Sequence, residues 1–118
     1  MNLAWQAVWR SLEPSSMSYQ LVFQLPFSSK DDYDAMIQLE SQIAEALGEL
    51  GEVDGHDSGS GEMNIFVLTD RPELAFDWIR RALWRNDLPS ELKVAFRRLD
   101  GEAYTILYPL ATSTFDIA

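Results

Sequence analysis

Hydrophobic and polar positions recur along the chain with two periods, and these periods predict its secondary structure. Segments 19–27 (YQLVFQLPF) and 63–69 (MNIFVLT) are apolar at most positions and rich in aromatic and branched residues. Such runs are typical of strands in the interior of a sheet. Segments 93–99 and 103–110 alternate instead, and the Asp-Gly pair at 100–101 between them favours a hairpin turn.

The stretch after the first strand predicts an amphipathic helix. Ser28 and Ser29 offer side-chain caps, and three acids follow at 31, 32 and 34, where the helix dipole favours negative charge. Glycines at 48 and 51 favour the end of this helix. The residues expected to face the core are Tyr33, Met36, Ile37, Ile43, Ala44, Leu47 and Leu50.

A second helix is predicted to begin near Pro72, with a capping box formed by Asp70 and Glu73, and to end before Pro89. Its apolar face is expected to comprise Ala75, Trp78, Ile79, Ala82 and Leu83, with Arg80, Arg81 and Arg85 facing water. Trp84 falls outside that stripe. It is either an exposed binding residue between Arg81 and Arg85 or a cover over the edge of the sheet.

The order of these elements predicts an α+β fold, the ferredoxin-like plait (βαββαβ) with an extra C-terminal strand. In that plait two helices lie on one face of an antiparallel sheet, and the first and third strands occupy its middle. The segments in those two positions, 19–27 and 63–69, are the most apolar. Residues 17–118 are therefore expected to form a single domain.

Residues 1–16 are predicted to be an N-terminal arm outside that domain. Four apolar residues, Trp5, Val8, Trp9 and Leu12, follow helical spacing until Pro14 interrupts the pattern. An arm this short either packs loosely or forms an amphipathic helix that docks on a partner or on a second copy.

The chain has no cysteine, which excludes disulfides and thiolate chemistry and fits a reducing compartment. The first residues lack the basic opening and continuous apolar run of a signal peptide, and no apolar run is long enough to span a bilayer. We therefore expect a cytoplasmic protein that does not contact the membrane.

Charge is plentiful, negative and unevenly distributed. The 118 residues carry 19 acids against 9 lysines and arginines, a net charge of −10. Ten of the acids and no Lys or Arg lie between Asp31 and Glu62, whereas seven of the nine basic residues lie between Arg71 and Arg98. This charge disfavours nucleic-acid binding and favours a basic protein partner.

The block VDGHDSGSGEMNIF at 53–66 holds the candidate chemistry. Asp54, His56, Asp57 and Glu62 could serve as a general base with its orienting acid or as metal ligands. The spacing misses the EF-hand pattern, and one histidine is few for a catalytic zinc. The glycines at 55, 59 and 61 favour the simpler interpretation, a turn between two strands.

That block, followed by Thr69-Asp70-Arg71-Pro72 and Phe76, resembles a stretch of small uncharacterised bacterial proteins with ferredoxin-like domains. The shared pattern is DGHDxGxGExNIF, and the resemblance covers residues 18–110. Some of those proteins come from gene neighbourhoods that also hold immunity proteins for secreted toxins. The resemblance implies the plait and, more remotely, a small acidic domain that blocks a basic toxin surface; it implies no catalytic residue.

The sequence therefore predicts a non-catalytic protein-interaction module that needs no cofactor. Its partner is expected to be a basic protein, or a second copy bound through a sheet edge or the N-terminal arm. The alternative is a small-molecule-binding, metal-binding or hydrolytic domain, with His56 as base and Asp54, Asp57 or Glu62 as partner or ligand. Convergence of these four side chains on one pocket would favour the alternative.

Overall fold

A computed structural model of the chain describes residues 17–110 and Phe115, and the predicted arm at 1–16 lies outside them. The described residues form, in order, β1 (Tyr19–Pro26), α1 (Lys30–Leu47), a 3₁₀ turn (Gly48–Leu50), β2 (Gly51–Gly59), β3 (Glu62–Thr69), α2 (Pro72–Leu83), β4 (Lys93–Arg98) and β5 (Thr105–Tyr108). Neither helix of this part combines the length and the apolar character that crossing a bilayer requires.

The five strands of the described part form one antiparallel sheet in the order β2-β3-β1-β4-β5. β1 lies at its centre, where Val22 pairs with Phe66 of β3 on one side and Ala95 of β4 on the other. β2 and β5 are the two edges. The α+β class with two helices and an antiparallel sheet is confirmed, and both of the most apolar strands lie in its interior.

Both helices pack on the same face of this sheet. The core lies between the helices and the sheet and consists of Leu21, Phe23, Met36, Ile43, Leu47, Met63, Ile65, Val67, Ala75, Phe76, Ile79, Leu92 and Val94. Side chains alternate along each strand, so the residues between these core positions point to the opposite face of the sheet, away from the helices. Among these, Val22 and Ala95 pack with Phe115 in a smaller cluster, and the Phe115 ring lies 5.0 Å from the ring of Tyr104.

Helix α1 begins and ends where the sequence predicts. The Ser29 hydroxyl accepts a hydrogen bond from the Asp32 amide at 3.3 Å, and Gly48 ends the helix with a positive φ of 54°. Its predicted core face is wrong in part. The line through Met36, Ile43 and Leu47 rests on the sheet, so three residues predicted as core lie beside that line and are exposed: Tyr33, Ile37 and Ala44.

Helix α2 begins at Pro72 as predicted, but the expected capping box is wrong. The preceding residue is Arg71, whose side chain makes no capping bond. The Thr69 hydroxyl instead accepts from the Arg71 amide at 3.0 Å and donates to the Leu50 carbonyl at 2.6 Å, which fixes the entry to the helix.

The predicted core position of Trp78 is also wrong. The buried residues of α2 are Pro72, Ala75, Phe76 and Ile79. The helix therefore faces the sheet along a line that leaves Trp78 on its rim, 53% exposed.

The C-terminal hairpin is present, with a shorter second strand than predicted. The Gly101 amide donates to the Arg98 carbonyl at 3.0 Å, so the Asp-Gly pair forms a turn directly after β4. Residues 102–104 are irregular, and β5 then pairs with β4 with a register shift between Val94 and Ala95.

Candidate functional site

The acidic, glycine-rich block at 53–66 is a β-hairpin. Residues up to Gly59 belong to the edge strand β2, and Glu62 begins β3. The two residues between them, Ser60 and Gly61, have positive φ values of 53° and 79°. This is the backbone of a two-residue hairpin turn, which a glycine adopts without strain. Most of the block is therefore strand rather than loop.

A β-bulge at Asp54 decides which way the following side chains of β2 point. The strand pairs with β3 through Val53 and then through Gly55, so Asp54 is an extra residue. Gly55 has a φ of 118°, which L side chains rarely adopt. Because strand side chains alternate, one extra residue reverses the face of every residue after it. The bulge thus turns His56 toward the helices and Asp57 away from them.

The side chain of His56 makes its hydrogen-bond and ring contacts with helix α1. Its Nδ1 lies 2.9 Å from Oε2 of Glu40, and its ring stands edge-on to Tyr33 with centroids 6.2 Å apart. Tyr33 in turn packs edge-on against Phe27. The imidazole is 29% exposed and the Glu40 side chain 20% exposed. The carboxylate fixes the orientation of the ring and leaves Nε2 as the nitrogen available to another group.

Asp57 lies on the opposite face, in a line of polar side chains that crosses three strands. The Asn64 amide donates to Oδ1 of Asp57 at 2.9 Å, and the Gln24 amide donates to Oδ1 of Asn64 at 3.0 Å. Gln24 and Asn64 are buried, where an unpaired amide would cost stability. Asp57 therefore completes a structural hydrogen-bond network.

The four candidate residues of the block do not form one site. Asp54 is exposed in the bulge, and Glu62 shares the sheet face of Asn64, opposite His56. Within residues 17–110 and 115, no group of three or more His, Cys, Asp or Glu side chains could hold a metal ion. The partner that the sequence did not reveal is Glu40, sixteen positions from His56, because no periodic pattern links a helix residue to a bulged strand.

Trp84 is half-buried against the core, with its ring 6.3 Å from that of Phe23. It caps the C-terminus of α2, where the backbone leaves helical geometry, and Arg85 follows with a φ of 55°. Arg81 and Arg85 are both exposed. Trp84 therefore packs against Phe23 of the central strand and not over an edge of the sheet, and of Trp78 and Trp84 the exposed one is Trp78.

Eight of the ten acids of segment 31–62 lie on α1 and β2, which contact each other at one edge of the molecule; Glu49 lies in the 3₁₀ turn and Glu62 on β3. Five of them are exposed and, within the described part of the chain, have neither a hydrogen-bond nor an ion-pair partner: Asp31, Asp34, Glu45, Glu52 and Asp54. We call these five residues together the acidic side; Glu52 pairs with Leu68 and therefore points to the sheet face away from the helices, unlike the acids of α1. The charge of the acidic side is available to a partner.

Asp32 has a different role, because its carboxylate is held at the start of α1. The backbone amide of Ser28 donates to Oδ2 of Asp32 at 2.9 Å, and the Ser28 hydroxyl donates to the same oxygen at 3.0 Å. These two hydrogen bonds lower the pKa of Asp32 below its ordinary value of 3.8.

Three arginines of the basic region, in contrast, bind two acids of the same region. Arg80 and Arg81 on α2 both bind Asp77. Arg98 at the end of β4 binds Asp100 at 3.0 Å, and this hydrogen bond lowers the pKa of Asp100 and raises the pKa of Arg98. The arginines of this region therefore present less net charge than their number in the sequence suggests.

Surface cavities lie at the start of α2 and between the two helices. The first, of about 460 Å³, is lined by Tyr19, Asp70, Arg71, Pro72, Glu73, Leu74 and Phe96. Two more, of about 440 and 380 Å³, share Trp78 as a lining residue. None of these cavities is lined by His56 or Asp57.

Comparison of the chain with protein-family models, curated proteins and solved structures gives no match. The resemblance of the 53–66 block to small bacterial proteins therefore remains a prediction. The function of the chain has to be inferred from its geometry and charge.

Proposed function

We propose that the chain is a non-catalytic interaction module that binds a basic protein through its acidic side. One observation supports this: five exposed acids of α1 and β2 have no partner among the described residues, whereas Arg80, Arg81 and Arg98 bind acids of their own region. Unneutralised charge of one sign speeds encounter with an oppositely charged protein and disfavours wrong partners, and both effects weaken with salt.

We assign the fold, as part of this proposal, to the ferredoxin-like plait with one added strand. The first four strands lie in the order β2-β3-β1-β4. Helix α1 connects β1 to β2 across β3, and α2 connects β3 to β4 across β1. Two such interleaved connections are the split βαβ arrangement of the plait. β5 then extends the sheet beyond β4.

The partner is proposed to contact side chains rather than to add a strand. β2 is an open edge, but its bulge and its exposed acids Glu52 and Asp54 are devices that prevent strand pairing. Self-association through this edge is therefore disfavoured. An inhibitory role in the cytoplasm, like that of an immunity protein that covers a basic toxin surface, fits the charge and the lack of cysteine.

The test compares two variants that lose the same charge at different places. The first is D31N/D34N/E45Q/E52Q/D54N, which neutralises the acidic side. The control is D70N/E73Q/D87N/E91Q/E102Q, five exposed acids outside segment 31–62. Immobilised wild type and control should capture the same basic protein from lysate of the source cells, with capture falling as salt rises, and the first variant should not. Equal capture by both variants would overturn the proposal.

A second candidate is a ligand-binding or hydrolytic domain that uses His56 as base. The observation in its favour is the Glu40 carboxylate 2.9 Å from Nδ1, because an acid in this position orients an imidazole. No hydrogen bond joins His56 to a hydroxyl nucleophile among the described residues. This candidate requires a small molecule or Zn²⁺ or Mn²⁺ to raise the melting temperature of wild type and not of H56A. If none of these ligands raises the melting temperature in this way, the candidate is ruled out.

A further inference from the structure

A groove made of two cavities that share Trp78 lies between α1 and α2, and only the cavity at Leu47 and Leu50 is lined mainly by apolar residues. One of its two cavities is lined by Gln42, Glu45, Ala46, Trp78, Ala82 and Leu83, and the other by Leu47, Gly48, Glu49, Leu50, Leu74 and Trp78. The indole of Trp78 borders both. We call the two cavities together the Trp78 groove.

Three apolar residues of this groove, all on α2, are not part of the core: Leu74, Trp78 and Ala82. Leu74, Trp78 and Ala82 are spaced four residues apart and therefore form one stripe of α2. Trp78 is more than half exposed and Leu74 is 39% exposed, while Ala75, Phe76 and Ile79 already fill the space over the sheet. An exposed tryptophan beside an apolar groove is a common anchor of protein interfaces.

The uncompensated charge at the groove is negative. Glu45 lines it, is exposed and has no partner among the described residues. On the α2 side, Arg80 and Arg81 do not line the groove, and both bind Asp77, whose carboxylate compensates one of their two positive charges. A segment that enters the groove therefore meets an apolar wall on one side and a free carboxylate on the other.

We propose that the Trp78 groove binds an amphipathic segment of a basic protein, with an apolar side chain against Trp78 and Leu74 and a Lys or Arg facing Glu45. The inference rests on the proposed function, because it takes the partner to be basic. A second copy of the chain is a poorer occupant, since two molecules of net charge −10 repel each other.

The probe is a fluorescein-labelled helical peptide of leucine and lysine, whose affinity is measured by fluorescence anisotropy. W78A should weaken binding about tenfold and E45Q about threefold, as expected for an interface anchor and a rim charge. Two controls should stay within about twofold. L99A removes another exposed leucine, and E91Q removes another exposed acid, each away from the groove. The matched leucine–glutamate peptide should bind none of the proteins.

The outcomes separate this inference from the proposed function. If D31N/D34N weakens binding and W78A does not, the acidic side survives and the groove is not the site. If W78A weakens binding and D31N/D34N does not, the groove stands and the acidic side fails. Equal effects of W78A and L99A would overturn the groove. Analytical ultracentrifugation gives a further test. If wild type sediments as a dimer and W78A as a monomer, the groove binds a second copy of the chain and the proposal is overturned.

Discussion

His56 and Asp57 are adjacent in the chain, yet their side chains bind groups on opposite faces of the sheet. His56 contacts Glu40 of the helical layer, and Asp57 accepts from Asn64 on the other face. If β2 paired regularly past Val53, with Asp54 opposite Phe66, His56 would lie opposite Asn64 on the open face instead. The position of the only histidine of the chain therefore depends on one bulge.

Substitution of Gly55 tests the bulge. We expect Gly55→Ala to lower the free energy of unfolding by about 1–2 kcal/mol, measured by urea denaturation. The φ of 118° is unfavourable for any side chain, while a Cβ added there meets no atom within 4 Å. The loss would therefore come from backbone strain and not from a clash.

Gly101→Ala is the matched control. Gly101 does not have a left-handed φ, and its added Cβ would make only an ordinary contact with Arg98 at 3.9 Å. We expect a change within about 0.5 kcal/mol. Equal losses for the two variants would show that Gly55 is not conformationally required.

The contact between His56 and Glu40 can be measured by a double-mutant cycle. H56A, E40A and the double variant should give a coupling energy of about 0.5–1.5 kcal/mol, since a hydrogen bond between partly buried groups contributes this much. The pair H56A and E45A is the control, because Glu45 has no partner among the described residues and the two changes should add within about 0.5 kcal/mol. A coupling energy near zero for the first cycle would contradict the contact.

Local signals in the sequence were sufficient for most of the fold. The apolar runs of β1 and β3 predict interior strands because only a strand with neighbours on both sides and both faces covered is so apolar. The cap at Ser29 and the glycine end at Gly48 are short-range signals, which depend on neighbouring residues alone. The hairpin turn after Arg98 belongs to the same class.

Features that depend on distant contacts were not predicted. A bulge at Asp54 leaves no periodic pattern, because Val53 is the only apolar residue of β2 and every residue after Asp54 in this strand is glycine or polar. The predicted core position of Trp78 is wrong, and the sequence leaves Trp84 open between an exposed and a covering position; in the structure α2 ends at Leu83. Helical spacing does not apply to Trp84, whose backbone turns its ring back onto the core beside Phe23. Helix periodicity finds an apolar stripe but not which side of it meets the sheet.

Asp32, at the start of α1, should make the stability of the protein depend on pH. Its pKa is lowered in the folded chain by the Ser28 amide and hydroxyl, so the charged form stabilises the fold above the ordinary value of 3.8. This stabilisation is lost as the pH falls through the lowered pKa of the folded chain. The melting temperature of wild type should therefore exceed that of D32N near pH 6, and the two should converge near pH 2.

Asp31 in the same helical turn is the control for charge alone, because the Ser28 groups bind Asp32 and not Asp31. D31N keeps both hydrogen bonds and should lower the melting temperature near pH 6 less than D32N does. If D31N and D32N behave alike across this range, the helix dipole accounts for the effect and the Ser28 contacts do not.

Trp78 within α2 and Trp84 at its C-terminus should contribute differently to the free energy of unfolding. Trp84 covers the core 6.3 Å from Phe23, so W84A should lower the free energy of unfolding by about 2–4 kcal/mol. Trp78 lies on the outer rim of the helix, and W78A should cost less than about 1 kcal/mol in the same urea titration. A larger loss for W78A than for W84A would contradict these positions. A small loss for W78A also means that any binding lost by this variant reflects the groove and not unfolding.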